Sequence, residues 1–192
     1  QDAKYRRILS RLAAEPGQHV LEIGCGRGGF AEMATRDGLA VTGLTLSPAQ
    51  LAWAQQRVPS ADLRLKDYRD TTERFDHVVS IEMFEAVGER WWPTYFRTVA
   101  NALKPEGRAV IQSITIRDDL FATYRRGTDF IQQYIFPGGM LPSRAEFRAQ
   151  AARQGLEVRD EFAFGVDYAR TLALWRDAFD ARWPQVAALG FD

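Results

Sequence analysis

The chain has one cysteine, Cys25, and two histidines, His19 and His77, among 192 residues. A single thiol excludes an intrachain disulfide framework, and so few soft or imidazole ligands leave no metal-binding pattern, so no metal is expected. No apolar run approaches the length of a membrane span, and the opening Gln1-Asp2-Ala3-Lys4-Tyr5-Arg6-Arg7 has nothing of a signal peptide. An excess of charge is missing too: 25 Lys and Arg balance 25 Asp and Glu. No global field therefore draws the chain to nucleic acid, and a polyanion would need a local patch. Repeats and low-complexity tracts are absent. These absences predict a cytoplasmic protein without a nucleic-acid partner. The length allows one domain, 1–192, with a real core and a small cap, but not two independent domains. The helix-like start and the bare ending Gly190-Phe191-Asp192 lead us to expect further chain beyond both ends.

What is present is organised around Val20-Leu21-Glu22-Ile23-Gly24-Cys25-Gly26-Arg27-Gly28-Gly29-Phe30. An apolar strand, His19 to Ile23, runs into a glycine-rich turn and then into an amphipathic helix beginning near Phe30. Such a turn exposes backbone N–H groups and a helix N-terminus to close approach by a ligand, which points to a nucleotide-like molecule. A nicotinamide enzyme would want an acidic residue roughly 20 residues further on for the ribose. Leu44-Thr45-Leu46-Ser47 offers no carboxylate there.

The remaining pattern alternates strands with helices. Tyr5, Ile8, Leu9 and Leu12 form a helical stripe closed by Glu15-Pro16-Gly17. Strands are predicted at Ala40 to Leu44, Ala61 to Lys66, Phe75 to Ser80, Arg108 to Ile116 and Leu156 to Phe164. Ser47-Pro48 reads as N-cap and first helical residue, and Ser143 as a second cap. Trp92, Phe96, Val99 and Leu103 mark a helix ending at Lys104-Pro105-Glu106-Gly107. Leu120 to Tyr134 reads as a helix broken near Gly127, followed by a loop, Phe136 to Leu141, placed to lid an apolar pocket. A last helix carries Tyr168, Leu172, Trp175, Phe179 and Trp183 on one side. The fold class is α/β, with a doubly wound, mostly parallel sheet that binds its ligand at the carboxyl ends of the strands.

The Glu-x-Gly-x-Gly run of Glu22, Gly24 and Gly26, with the later Asp67, resembles the Rossmann-like class I S-adenosylmethionine-dependent methyltransferases. Four further segments sharpen this: Val41 to Gln50, Phe75 to Gly88, Tyr134-Ile135-Phe136-Pro137-Gly138-Gly139, and Tyr168-Ala169-Arg170-Thr171-Leu172. They look like the cyclopropane-fatty-acyl-phospholipid synthases and their mycolic acid relatives, in the right order and across nearly the whole chain. The resemblance implies a methyltransferase core with helical caps at about 117–142 and 168–192, its final strand lying outside this segment. It implies S-adenosylmethionine as cofactor, an unsaturated phospholipid or acyl-lipid substrate, and peripheral membrane contact by a soluble protein.

By motif, Glu22, Gly24, Gly26, Thr45, Leu46, Gln50, Asp67 and Tyr68 form the cofactor shell, Thr45 and Gln50 at the ribose and Asp67-Tyr68 beside the adenine. Gln50 reads equally as a surface helix residue, and Asp67 as a loop-capping carboxylate. In the resembled synthases a bound bicarbonate, held by a Glu, a His, a Tyr and an upstream Cys, looks like the base that closes the ring. Glu85 matches the Glu and Tyr168 the Tyr. Gln112 stands where those enzymes have the His, and Ala86 where they commonly have a second His. Gln112 can still donate a hydrogen bond to an anion but cannot change its charge. Cys25 lies in the glycine turn and is not the upstream Cys. These departures keep three alternatives open: a lipid C-methyltransferase that closes no ring, a methyltransferase for a small soluble acceptor, and a cofactor- or lipid-binding module without turnover. Arg117, Arg125, Arg126, Arg144 and Arg148 fall in the expected cap, where they would meet phospholipid headgroups or simply solvent.

Overall fold

A computed structural model describes residues 1–191. Five parallel strands form its sheet: β1 (His19–Ile23), β2 (Ala40–Thr45), β3 (Asp62–Leu65), β4 (Phe75–Ile81) and β5 (Leu103–Gln112). The helices are α1 (Asp2–Leu12), α2 (Gly29–Arg36), α3 (Pro48–Arg57), α4 (Trp92–Ala102), α5 (Asp118–Tyr124), α6 (Arg144–Arg153), α7 (Gly165–Asp180) and α8 (Trp183–Ala187). Strand order is β3-β2-β1-β4-β5. The chain builds outward from β1 on one side and then returns to lay β4 against its other edge. That reversal opens a crevice at the carboxyl ends of β1 and β4, where such sheets take their ligands.

Successive residues of the strands feed two opposite cores, as the twofold period of a strand requires. Leu21, Ile23, Leu44 and Val78 join Phe84, Trp92, Tyr95, Phe96 and Val99 on one face. Val20, Val41 and Val79 join Ile8, Leu12, Phe30, Ala31 and Ala34 on the other. Covered faces explain the continuous apolar runs seen in the sequence. Both serine caps form as expected: Ser47 accepts the Gln50 N–H ahead of Pro48, and Ser143 accepts that of Glu146.

Gly43, inside β2, is required by packing. A Cβ there would stand 2.6 Å from Leu63 Cδ2 and 2.9 Å from Cys25 Cβ. Gly43→Ala is expected to lower stability by about 1–3 kcal/mol through overpacking. Urea unfolding should show this as a lower midpoint with an unchanged slope.

Three expectations need correction. No strand forms over 156–164; the ladder of the sheet stops at β5, and alternation of apolar and polar residues cannot by itself supply a pairing partner. The expected turn at Lys104 to Gly107 lies within β5, because Leu103 already pairs with Phe75 before the register shifts, and Glu106 takes a positive φ of 65°. The fifth strand also ends at Gln112, with Ile116 making only an isolated bridge to Ser143. The helix expected to break near Gly127 does so: α5 ends at Tyr124, and a single π turn, Ile131–Ile135, follows.

The chain divides into two compact units, Gln1–Glu157 and Val158–Asp192. The first holds the sheet and both cores. The second consists of an irregular lead-in, α7 and α8, with Leu172, Trp175 and Phe179 about half exposed. The last residue of the expected second cap, Asp192, lies outside the described residues.

Candidate active site

The turn after β1 is shaped for a ligand that approaches the backbone. Gly24 has φ +83°, and a Cβ there would fall 2.7 Å from Met83 Cγ. The loops after β1 and β4 therefore touch at this glycine, and a larger residue would push them apart. Gly26 has φ +53° and nothing within 4 Å of where its Cβ would be. The Gly24 and Cys25 N–H groups both bond to the Leu44 carbonyl, at 3.0 and 2.8 Å, which pins the turn to the end of β2.

Glu22 is 3% exposed at the end of β1. It accepts the Ala31 N–H, its Oε2 has no partner, and burial pushes its carboxyl well above the usual range. The folded chain thus keeps a proton that the unfolded chain releases near pH ~4.3. Stability from this group falls as pH rises from that value towards the raised folded one. Glu22→Gln needs no proton and keeps an acceptor for Ala31. Its stability advantage over the wild type should widen between pH 4 and pH 8 in denaturant titrations; a pH-independent difference would remove the assignment.

On the β2 and β3 side, the buried Thr45 hydroxyl donates to Gln50 Oε1 at 3.0 Å and accepts the Ser47 N–H at 3.1 Å. Gln50, exposed on α3, is thereby tied to the strand end. Leu46 is 69% exposed between them. Asp67 caps the short turn Tyr68–Asp70 by accepting the Arg69 N–H, and the Arg69 guanidinium, also on its carboxylate, holds it below the usual carboxylate range. The loop-capping reading of Asp67 is thus realised. Tyr68 packs edge-on against the buried Tyr95 at 5.6 Å.

At the ends of β4 and β5 the structure assembles a polar cluster. Phe84, fully buried, anchors a short turn, Phe84–Ala86, from which Glu85 projects. Glu85 Oε1 accepts the Ile114 N–H, its main-chain carbonyl accepts the Met140 N–H at 3.1 Å, and its Oε2 is buried without a partner. The Phe136 to Leu141 loop is thus tied to Glu85, while Phe136 itself is exposed. Gln112 ends β5 beside Ile81; its Nε2 donates to Glu82 Oε1 at 2.7 Å, and its Oε1 is buried and unpartnered. Tyr168 belongs to the second unit, on α7, with its ring 6.3 Å from that of Phe164.

Sequence reasoning missed Glu82 and Lys4. Glu82 takes φ +52°, donates its N–H to the Gln112 carbonyl at 3.0 Å, and carries Lys4 Nζ 3.6 Å from its carboxylate. A carboxylate at the carboxyl end of a predicted strand was the available signal for Glu82. Lys4 on α1 gave none. Of the cap arginines, Arg117 pairs with Asp119 and Arg125 with Glu89. Among the described residues no cluster of three potential metal ligands occurs, and no helix is long and apolar enough to cross a membrane.

The chain is similar over 98% of its length to the solved cyclopropane synthase MmaA2 of Mycobacterium tuberculosis, with a TM-score of 0.88, 28% identity and 72% of that chain covered. It also matches mycolic acid cyclopropane synthase CmaA1 complexed with SAH and CTAB, at TM-score 0.84 and 30% identity, over 98% of this chain and 72% of that one. The fold is therefore that of a Rossmann-like class I methyltransferase. A model of the mycolic acid cyclopropane synthetase family matches residues 1–192, and the chain belongs to that family. Among curated relatives, the tuberculostearic acid methyltransferase UfaA1 of M. tuberculosis is 40% identical over 199 residues, covering 100% of this chain and 47% of that protein. The cyclopropane-fatty-acyl-phospholipid synthase of Escherichia coli is 40% identical over 190 residues, covering 97% and 48%. The chain spans about half the length of these curated relatives.

Proposed function

We propose that the intact protein uses S-adenosylmethionine to add a one-carbon unit to the double bond of an unsaturated acyl chain, carried by a phospholipid or a similar acyl-lipid. The observation that carries this reading is the glycine turn at the carboxyl ends of β1 and β4, open at Gly26 and close against Met83 at Gly24, in a chain matched along its whole length by one lipid-modifying family. The residues suit the cofactor. Gly24 and Gly26 let the methionine portion lie against backbone, with Glu22 beneath them. Thr45, Leu46 and Gln50 would hold the ribose, and Asp67 and Tyr68 the adenine. When bound, the cofactor supplies an electrophilic sulfonium methyl.

An alkene is a weak nucleophile, so the remaining residues must hold it in line and keep water out. Phe84 fixes the turn that presents Glu85, and Glu85 in turn secures the Met140 loop through its carbonyl. By motif, Tyr168 on α7 matches the Tyr of the resembled synthases. Phe130, Ile131, Tyr134, Ile135 and Phe136 form an exposed apolar stretch suited to peripheral contact with a bilayer.

The test is turnover of labelled S-adenosylmethionine by the intact protein on vesicles of monounsaturated phosphatidylethanolamine and phosphatidylglycerol, with mass spectrometry of the acyl chains. Incorporation into those chains is expected. Methylation confined to soluble amines or phenols, or cofactor binding without any transfer, would overturn the reading. Hydrogenation of the product then separates a ring from a branched alkene. A second reading, lipid C-methylation without ring closure, is favoured by Gln112 being bound to Glu82.

A further inference from the structure

The polar cluster at the ends of β4 and β5 is built the wrong way round for an anion. A bicarbonate needs hydrogen-bond donors and little competing negative charge. Of the two N–H groups on the Gln112 Nε2 amide, Glu82 Oε1 takes one at 2.7 Å and sets a carboxylate beside the other. The amide cannot turn over, because its Oε1 would then face the Glu82 carboxylate. Two more contacts lock the pair: the Glu82 N–H donates to the Gln112 carbonyl at 3.0 Å, and Lys4 Nζ stands 3.6 Å from the Glu82 carboxylate. Holding Glu82 at φ +52° is itself costly for a residue with a side chain, so the surrounding structure imposes this arrangement.

What the cluster leaves unpartnered is two buried acceptors, Gln112 Oε1 and Glu85 Oε2. Gln112 ends β5 and Glu85 lies in the turn after β4, with Glu85 Oε1 bonded to the N–H of Ile114, two residues beyond Gln112. A buried oxygen without a partner suits a positive charge or a proton donor and repels an oxyanion.

We infer that this chain holds no bicarbonate and that Glu85 Oε2 itself accepts the proton released after methyl transfer, with Lys4 and Glu82 as positioning residues that keep Gln112 oxygen-first. This rests on the acyl-chain reading above. In the step, the methyl carbon bonds to one alkene carbon as its bond to sulfur breaks, leaving a neutral thioether and a positive charge on the other alkene carbon. A C–H bond of the new methyl group then breaks. Its electrons close a cyclopropane or, after a hydride shift between the two former alkene carbons, form a C=C bond, and its proton goes to Glu85. No other reactant is needed.

The test has a binding arm and a turnover arm, both with the intact protein. In the first, 13C NMR follows [13C]bicarbonate line broadening. The wild type is expected to show no saturable broadening. Gln112→His, which restores a donor free of Glu82, should show it. Saturable binding by the wild type that is lost in Glu85→Gln would overturn the inference. In the second arm, turnover on the unsaturated vesicles is compared in carbonate-free and bicarbonate-supplemented buffer. The wild-type rate should agree within about twofold.

Glu82→Gln, nearly isosteric, gives Gln112 a donor to face and so releases its amide to turn over. It should make turnover respond to bicarbonate at least about threefold and change the ratio of ring to alkene product, with KM unchanged. A merely structural role would lower the rate without altering either. Wild-type product formed only with bicarbonate overturns this inference alone. No lipid product in either buffer, with the cofactor still bound, overturns the acyl-chain reading and this inference with it.

Discussion

Glu85→Gln is expected to lower kcat by about 10²–10⁴, the range for removing a positioned proton acceptor, while leaving cofactor affinity and thermal stability near those of the wild type. The substitution is selective because the two carboxylate oxygens do different things. Oε1 accepts the Ile114 N–H, a bond that the amide oxygen of glutamine preserves. Oε2 is buried and unpartnered, and only there does an NH2 group replace an acceptor. The Met140 loop is held by the Glu85 main chain and is untouched. Rapid-quench measurement of a single turnover on unsaturated vesicles, beside calorimetry of S-adenosylhomocysteine binding, separates chemistry from binding. Retention of activity within about tenfold would show that no proton passes through Oε2.

Phe84→Ala should produce the largest loss of stability, about 3–5 kcal/mol. The ring is fully buried and packs against four others: Trp92 stacked at 5.5 Å, and Tyr95, Phe96 and Phe147 at 4.9, 5.4 and 5.1 Å. Removing it leaves a cavity that α4 and α6 cannot readily close, since each contributes rings already packed against one another, Phe96 on Phe147 at 5.0 Å. For a chain of this length the expected fall in Tm is about 2–4 °C for each kcal/mol. The position also joins stability to chemistry: Phe84 points into the core from the turn that presents Glu85. A conservative Phe84→Leu should recover much of the Tm but less of kcat, because a branched aliphatic side chain fills volume without restoring the ring contacts that set the turn. Equal recovery of both would separate the anchor from the site.

How far the sequence foretold this structure depends on whether a feature is local. The strand His19–Ile23 was read to the residue, and the caps at Ser47 and Ser143 were found, because hydrophobic runs and N-cap chemistry are written in adjacent residues. The parallel sheet followed from the alternation of strands and helices. The false strand at 156–164 had the right side-chain alternation, but pairing is a property of two segments and cannot be read from one. The start of β5 was missed for a related reason. Lys104 to Gly107 has the composition of a turn, yet the pairing of Leu103 with Phe75 and the 2.9 Å contact of Lys104 with Asp76 carry the strand through it. In the site, Glu85 and Gln112 stood out as parts of a motif. That Gln112 turns its amide nitrogen to Glu82, backed by Lys4 from the first helix, depends on side chains 30 and 78 residues away from each other in sequence.

The glycine turn carries one more consequence, through the only thiol in the chain. Cys25 is 4% exposed between Ala54 and Leu63, and burial pushes its thiol up to about 12. At neutral pH such a sulfur is almost never a thiolate, the form that reacts with alkylating and disulfide reagents. The folded 192-residue chain therefore behaves as though it were cysteine-free, and a fluorescent maleimide directed to a cysteine placed elsewhere in it by mutation will label one site. The residual, slow modification of Cys25 then becomes a clock for how often the turn swings open, and a bound nucleoside that holds the turn shut should slow that clock.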